Sequence, residues 1–143
     1  MDKRSLSRIS AFADTGILCT LAEKAAAGRE LLFLKKPEKT MVLLQVKEPV
    51  KQSLFYLGEM LAVQCVVELS GVKGAAVLAG DDFSKVEAAA VLDAAHSGGF
   101  AEFAIIEPEL LRLEEARQEK AGKQAEAVKS TRVRFHSLED HEA

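Results

Sequence analysis

Long apolar runs, paired cysteines, clustered histidines and any surplus of positive charge are all missing from this 143-residue chain, and each absence closes a class of function. No uninterrupted apolar stretch approaches the roughly 20 residues that a membrane-spanning helix requires. The first dozen residues are polar and amphipathic, without the apolar centre of a signal peptide, so a cytoplasmic protein with no membrane partner is expected. Cys19 and Cys65 stand far apart, in no C-x-x-C pair and with no histidine at ligand spacing, and both read as buried reduced thiols. His96, His136 and His141 are equally scattered, so no metal site is expected from this chain alone. With 19 basic and 22 acidic residues interspersed to a net charge of −3, there is no basic field to hold a nucleic acid backbone. A phosphate-binding G-x-x-x-x-G-K-[ST] loop is absent, Gly71, Gly74 and Gly80 read as turn glycines, and Ser84 lies in no G-x-S-x-G elbow.

What is present is a chain that is nearly half apolar, enough for one compact domain with a core over residues 1–143. Residues 1–28 read as a helical pair. Leu6, Ile9 and Phe12 or Ala13 recur at helical spacing, and Asp14 or Thr15 can cap a second helix with the stripe Ile17, Leu18, Leu21 and Ala25, closed by Gly28. Residues 30–80 change character. Leu31–Leu34, Met41–Val46 and Leu54–Leu69 are rich in β-branched and aromatic residues and carry no helical stripe, Gly58 suggests a bulge or bend, and Ser70-Gly71 joins a hairpin to the run Gly74–Leu78.

Residues 82–129 return to a helical period. Ser84 and Glu87 have capping-box spacing, alanine-rich sequence runs to Ala95, and His96-Ser97-Gly98-Gly99 stops it. Phe100–Ile106 reads as a short strand or a buried connection, and Pro108 as the first turn of a further helix to about Lys129. That helix is weakly anchored in its second half, which makes it a solvated helix or a partner-binding arm, and 131–138 alternates as a tail or an added strand. The expected fold is α+β: an N-terminal helical pair, an antiparallel sheet of about four strands, and C-terminal helices packed on one face.

Candidate chemistry is confined to carboxylates. Asp82 and Glu87 lie where a helix start stabilises negative charge, so capping explains them; the functional alternative is a shared site in which one of them, or Glu59, orients a hydroxyl or a proton. No catalytic residue is assigned.

The order and spacing of Pro37-Glu38, Phe55, Leu57-Gly58-Glu59, Gly74, Gly80-Asp81-Asp82, Glu87, Ala90, Asp93 and Ala94 resemble the PhnG family, with a further echo in Val133 and Phe135. The chain departs from the family pattern where arginines stand: Gln45–Gln52 replaces an arginine and glycine-rich stretch, Val63-Gln64 a threonine-arginine pair, and Asp81 the arginine of a G-R-D segment. The resemblance implies an accessory, non-catalytic subunit of the carbon-phosphorus lyase complex. It implies support for joining methylphosphonate to the ribose of ATP with loss of adenine, with ATP a substrate of the complex and no cofactor bound by this chain. A nucleosidase-like subunit is the implied main partner. Two other classes remain open: a repurposed interaction or regulatory module, and an independent enzyme, which needs a concave site holding at least two of Glu59, Asp82 and Glu87.

Overall fold

A computed structural model describes residues 1–142, with side chains described except at Val46 and 124–142. The elements are α1 (Lys3–Phe12), α2 (Thr15–Ala26), β1 (Leu31–Lys47), β2 (Leu54–Leu69), β3 (Val72–Ala79), α3 (Phe83–Ser97) and α4 (Ala101–Glu142). They form two compact units, Met1–Pro108 and Glu109–Ala143. The first holds an antiparallel sheet in the order β1-β2-β3 with α1, α2, α3 and the start of α4, so the α+β class holds with three strands in place of about four.

The helical pair forms as expected. Asp2 caps α1 by accepting from the Ser5 amide at 2.8 Å, and Leu6 and Ile9 enter the core, with Ala13 and not Phe12 as the next buried apolar position. Asp14 caps α2 by accepting from the Gly16 and Ile17 amides. The buried stripe of α2 is Leu18, Leu21, Ala22 and Ala25, which keeps three of the four expected residues and leaves Ile17 exposed with Ala22 buried instead. Gly28 follows the helix at φ +74°, a conformation only glycine adopts cheaply. Arg29 then lies 3.6 Å over the Phe100 ring and donates to Glu102 at 2.9 Å, tying the α2–β1 turn to the start of α4.

The strand count falls to three because the two expected strands around Lys35-Lys36-Pro37 are one. β1 absorbs the proline by bulging: the register with β2 slips between Phe33 and Lys35 and again between Lys35 and Glu38. Pro37 can stand there because β1 is an edge strand and a bulge releases the amide that proline lacks. Gly58 does mark a bulge, on β2: Leu44 faces Gly58 and Gln45 faces Tyr56, leaving Leu57 as the extra residue. Ser70 and Gly71, at φ 48° and 84°, form the two-residue β2–β3 turn with positive φ at both positions that matches strand twist.

Three helix boundaries differ from expectation. α3 begins at Phe83 with Asp82 and not Ser84 as its cap, because the Asp82 carboxylate accepts from the Lys85 amide at 3.1 Å. Phe100–Ile106 is helical from Ala101, with Phe103 and Ile106 buried at helical spacing, so Pro108 lies inside α4 and not at its first turn. The carbonyl that Pro108 cannot serve belongs to Ala104, on an exposed residue where water reaches it. Without a glycine or proline after Gly122, the α4 backbone continues to Glu142 and takes in 131–138, expected as a tail or strand. The alternating side chains of that stretch lie outside the described residues.

The core lies between α3 and the sheet. Val63, Cys65, Val67 and Leu69 of β2 alternate inward, against the eight buried residues of α3, five of them alanine. Small side chains let the helix lie low, and Gly74 of β3 is where it touches: a Cβ there would come within 2.6 Å of the Ala94 Cβ and closer still to the Ala90 carbonyl. Asp93 completes this contact by accepting from the Ala75 amide at 3.0 Å. Gly74→Ala is therefore expected to lower unfolding free energy by about 3 kcal/mol in urea denaturation, the upper end for overpacking. Gly122→Ala, in open space on a helix, is expected to change it by about 1 kcal/mol in the opposite direction.

Candidate functional site

The corner between β3 and α3 is held from three sides. Asp82 accepts from the Thr15 hydroxyl at 2.6 Å as well as from the Lys85 amide, and Lys85 Nζ donates to the Ala11 carbonyl at 2.7 Å. The Thr15 hydrogen bond, followed by the Lys85 amide, holds the Asp82 carboxyl below its ordinary value. This arrangement docks α2 on the end of α3 and leaves both Asp82 oxygens occupied by structural donors.

Between α2, α3 and the first residue of β1 lies a cavity of about 250 Å³. Its floor is small and apolar (Ala22, Ala26, Leu31, Ala88 and Val91), and Glu23 and Glu87 supply its charge. Cys19 lines it half-buried, its thiol donating to the Ser84 carbonyl at 3.7 Å. Burial pushes the Cys19 thiol up, and the charges of Asp82, Glu23 and Glu87 push the same way. Burial and then Glu87 raise Cys65 to about 11. Neither sulfur is a nucleophile at neutral pH, because the thiolate is the reactive form.

The three carboxylates singled out in the sequence fall in different places. Asp82 caps α3, Glu87 lines the cavity one turn further along, and Glu59 stands on β2 opposite Leu43, on an exposed part of the sheet. The cavity thus holds Glu87 but neither Asp82 nor Glu59, and the second carboxylate on its wall, Glu23, carries no sequence signal beyond being an acidic residue in a helix. Among the described residues no three of His, Cys, Asp and Glu converge as a metal ion requires.

The larger surface is apolar. β3 ends at Ala79 opposite Ala62, while β1 and β2 continue beyond it, so the stretch from Met41 to Leu61 is a two-stranded ribbon with no third strand. On one face Met41, Leu43, Tyr56 and Leu54 are each more than half exposed (53, 54, 62 and 63%). On the other, Phe55 and Leu44 are still 45% and 39% exposed, and the bulged Leu57 is 65% exposed. A two-stranded ribbon is marginal alone in water, and soluble monomers rarely present so large a contiguous apolar patch. The ribbon has the composition of a contact surface. No spacing rule reveals this in the sequence, where the same residues read as ordinary strand core.

The sequence matches the family of phosphonate metabolism protein PhnG over residues 2–139. The chain belongs to the PhnG family. No curated protein matches it. The family is a component of the carbon-phosphorus lyase system, which implies partner subunits. The residues that carry the likeness have structural jobs: Gly74, Ala90, Asp93 and Ala94 make a close contact of α3 with β3, Gly80-Asp81-Asp82 makes the corner, and Leu57-Gly58-Glu59 holds the ribbon bulge. Among the described residues no helix is long and apolar enough to cross a membrane.

Removal of the Asp82 carboxylate tests the corner. Asp82→Ala is expected to cost about 1 kcal/mol at pH 7, the usual value of a lost helix cap. Because the folded-state value lies below the ordinary 3.8, this stabilisation is present above that pH and is lost as pH falls through the folded value. The difference between wild type and variant in urea titrations is expected to shrink below pH 3.8.

Proposed function

We propose that this chain is an accessory subunit of the carbon-phosphorus lyase complex, supporting the transfer of methylphosphonate to the ribose of ATP in the cytoplasm. In that reaction the bond from the ribose anomeric carbon to adenine breaks, its electrons leave with adenine, and a phosphonate oxygen bonds to the same carbon. The product is α-D-ribose 1-methylphosphonate 5-triphosphate. A nucleosidase-like partner supplies the catalytic groups, and this chain supplies shape and contact surface.

The observation that carries the reading is the ribbon, since an enzyme acting alone has no use for a two-stranded apolar arm open on both faces. The built features elsewhere agree: Asp82 is committed to a cap, and both thiols are raised away from reactivity. A repurposed interaction module shares the ribbon, and the replacement of family arginines by Val63-Gln64 and Asp81 is what favours it; it predicts that growth on phosphonate is indifferent to the ribbon.

The test substitutes exposed ribbon residues in the native host. Leu43→Ser with Tyr56→Ser is expected to leave the unfolding free energy in urea denaturation within about 0.5 kcal/mol of wild type, as for surface changes. The same variant is expected to abolish growth on methylphosphonate as sole phosphorus source and to remove the other subunits from a tagged purification. Unimpaired growth with an intact complex would sink the assembly role.

A further inference from the structure

The ribbon has two long edges, and the β1 edge is built in two different ways along its length. Its near half carries Lys35, Lys36, Pro37 and Lys39 together with two bulges. These are the devices by which natural sheets prevent another strand from pairing: charge, a missing amide and a broken register. From Thr40 to Val46 none of them occurs. That stretch holds no charge, no proline and no extra residue, and its pairing with β2 places every irregularity on the β2 side, at Leu57. β1 is a sheet edge, so the backbone groups of this stretch that point away from β2 have no strand partner among the described residues. The β2 edge of the ribbon is different again, because the bulge at Leu57 and Gly58 interrupts it.

Charge then restricts the occupant. Along a regular strand alternate residues share a face, so Lys39, Met41, Leu43, Gln45 and Lys47 lie in one row, with a cation at each end of an uncharged centre. A second copy paired antiparallel in the register that uses the whole row would set Lys39 opposite Lys47 twice, and like charges directly opposite are destabilising. A foreign strand with an apolar centre and a carboxylate at each end meets both cations favourably. We propose that the Thr40–Val46 edge receives such a strand from a partner subunit, extending the sheet by main-chain hydrogen bonds with Lys39 and Lys47 setting its register. The proposal rests on the assembly reading above and names the chemistry of the partner segment.

Hydrogen exchange on the complex reconstituted with the other carbon-phosphorus lyase subunits, compared with the isolated chain, tests it. Every second amide between Thr40 and Lys47, those facing away from β2, is expected to be fast in the isolated chain and protected in the complex. Lys39→Glu with Lys47→Glu, exposed positions that leave the circular dichroism spectrum unchanged, is expected to weaken assembly at least about tenfold through lost charge complementarity. A complex that forms while those amides exchange as in the isolated chain overturns the added strand and leaves the assembly role intact. Failure of any complex to form overturns both. Protection of the same amides in the isolated chain, with a doubled mass in sedimentation, assigns the edge to a second copy and overturns the partner strand.

Discussion

The close approach of α3 to β3 is the contact on which the rest of the first unit depends. Gly74 has no side chain because the Ala90 carbonyl and Ala94 occupy the space, and Asp93 reaches from the same helix to the Ala75 amide on the open side of β3. One outward amide of the edge strand β3 is thereby paired without a further strand. With the helix so low, the inward row of β2 meets mostly alanine and valine, with Leu92 the one large side chain on the buried face of α3. α2 docks on the same helix through Thr15 and Asp82, so the α3 position also decides where the acidic cavity opens.

Because α3 covers only the part of the sheet that β3 completes, the longer strands outrun their cover. β1 and β2 continue beyond α3 as a ribbon with exposed apolar residues on both faces. Ribbon and body thus divide the work: the body spends its polar groups on caps and ties, and the ribbon presents surface. That division fits the partner subunits that membership of the PhnG family implies.

Much of this was legible in the residues. The helical pair, the caps at Asp14 and Gly28, the Ser70-Gly71 hairpin, the bulge at Gly58 and the family likeness all rest on local chemistry, where a single residue type answers a single backbone need. The failures share a cause. Pro37 reads as a strand break unless the strand is known to lie at an edge, and Pro108 reads as a helix start unless Phe103 and Ile106 are known to be buried. Among the candidate carboxylates, Asp82 was placed at its helix start by the local signal. Glu87 and Glu23 share a cavity only because α2 and α3 pack side by side, and no spacing in the chain records that.

The α+β class and the family follow from composition, turn chemistry and residue order, all of which are local to the chain. The tertiary structure decided which apolar residues are core and which are surface. Leu43 and Tyr56 carry the same strand signal as Val63 and Val67, and differ only in whether α3 lies over them. Burial is a property of what packs above a residue, and that neighbour is distant in the chain.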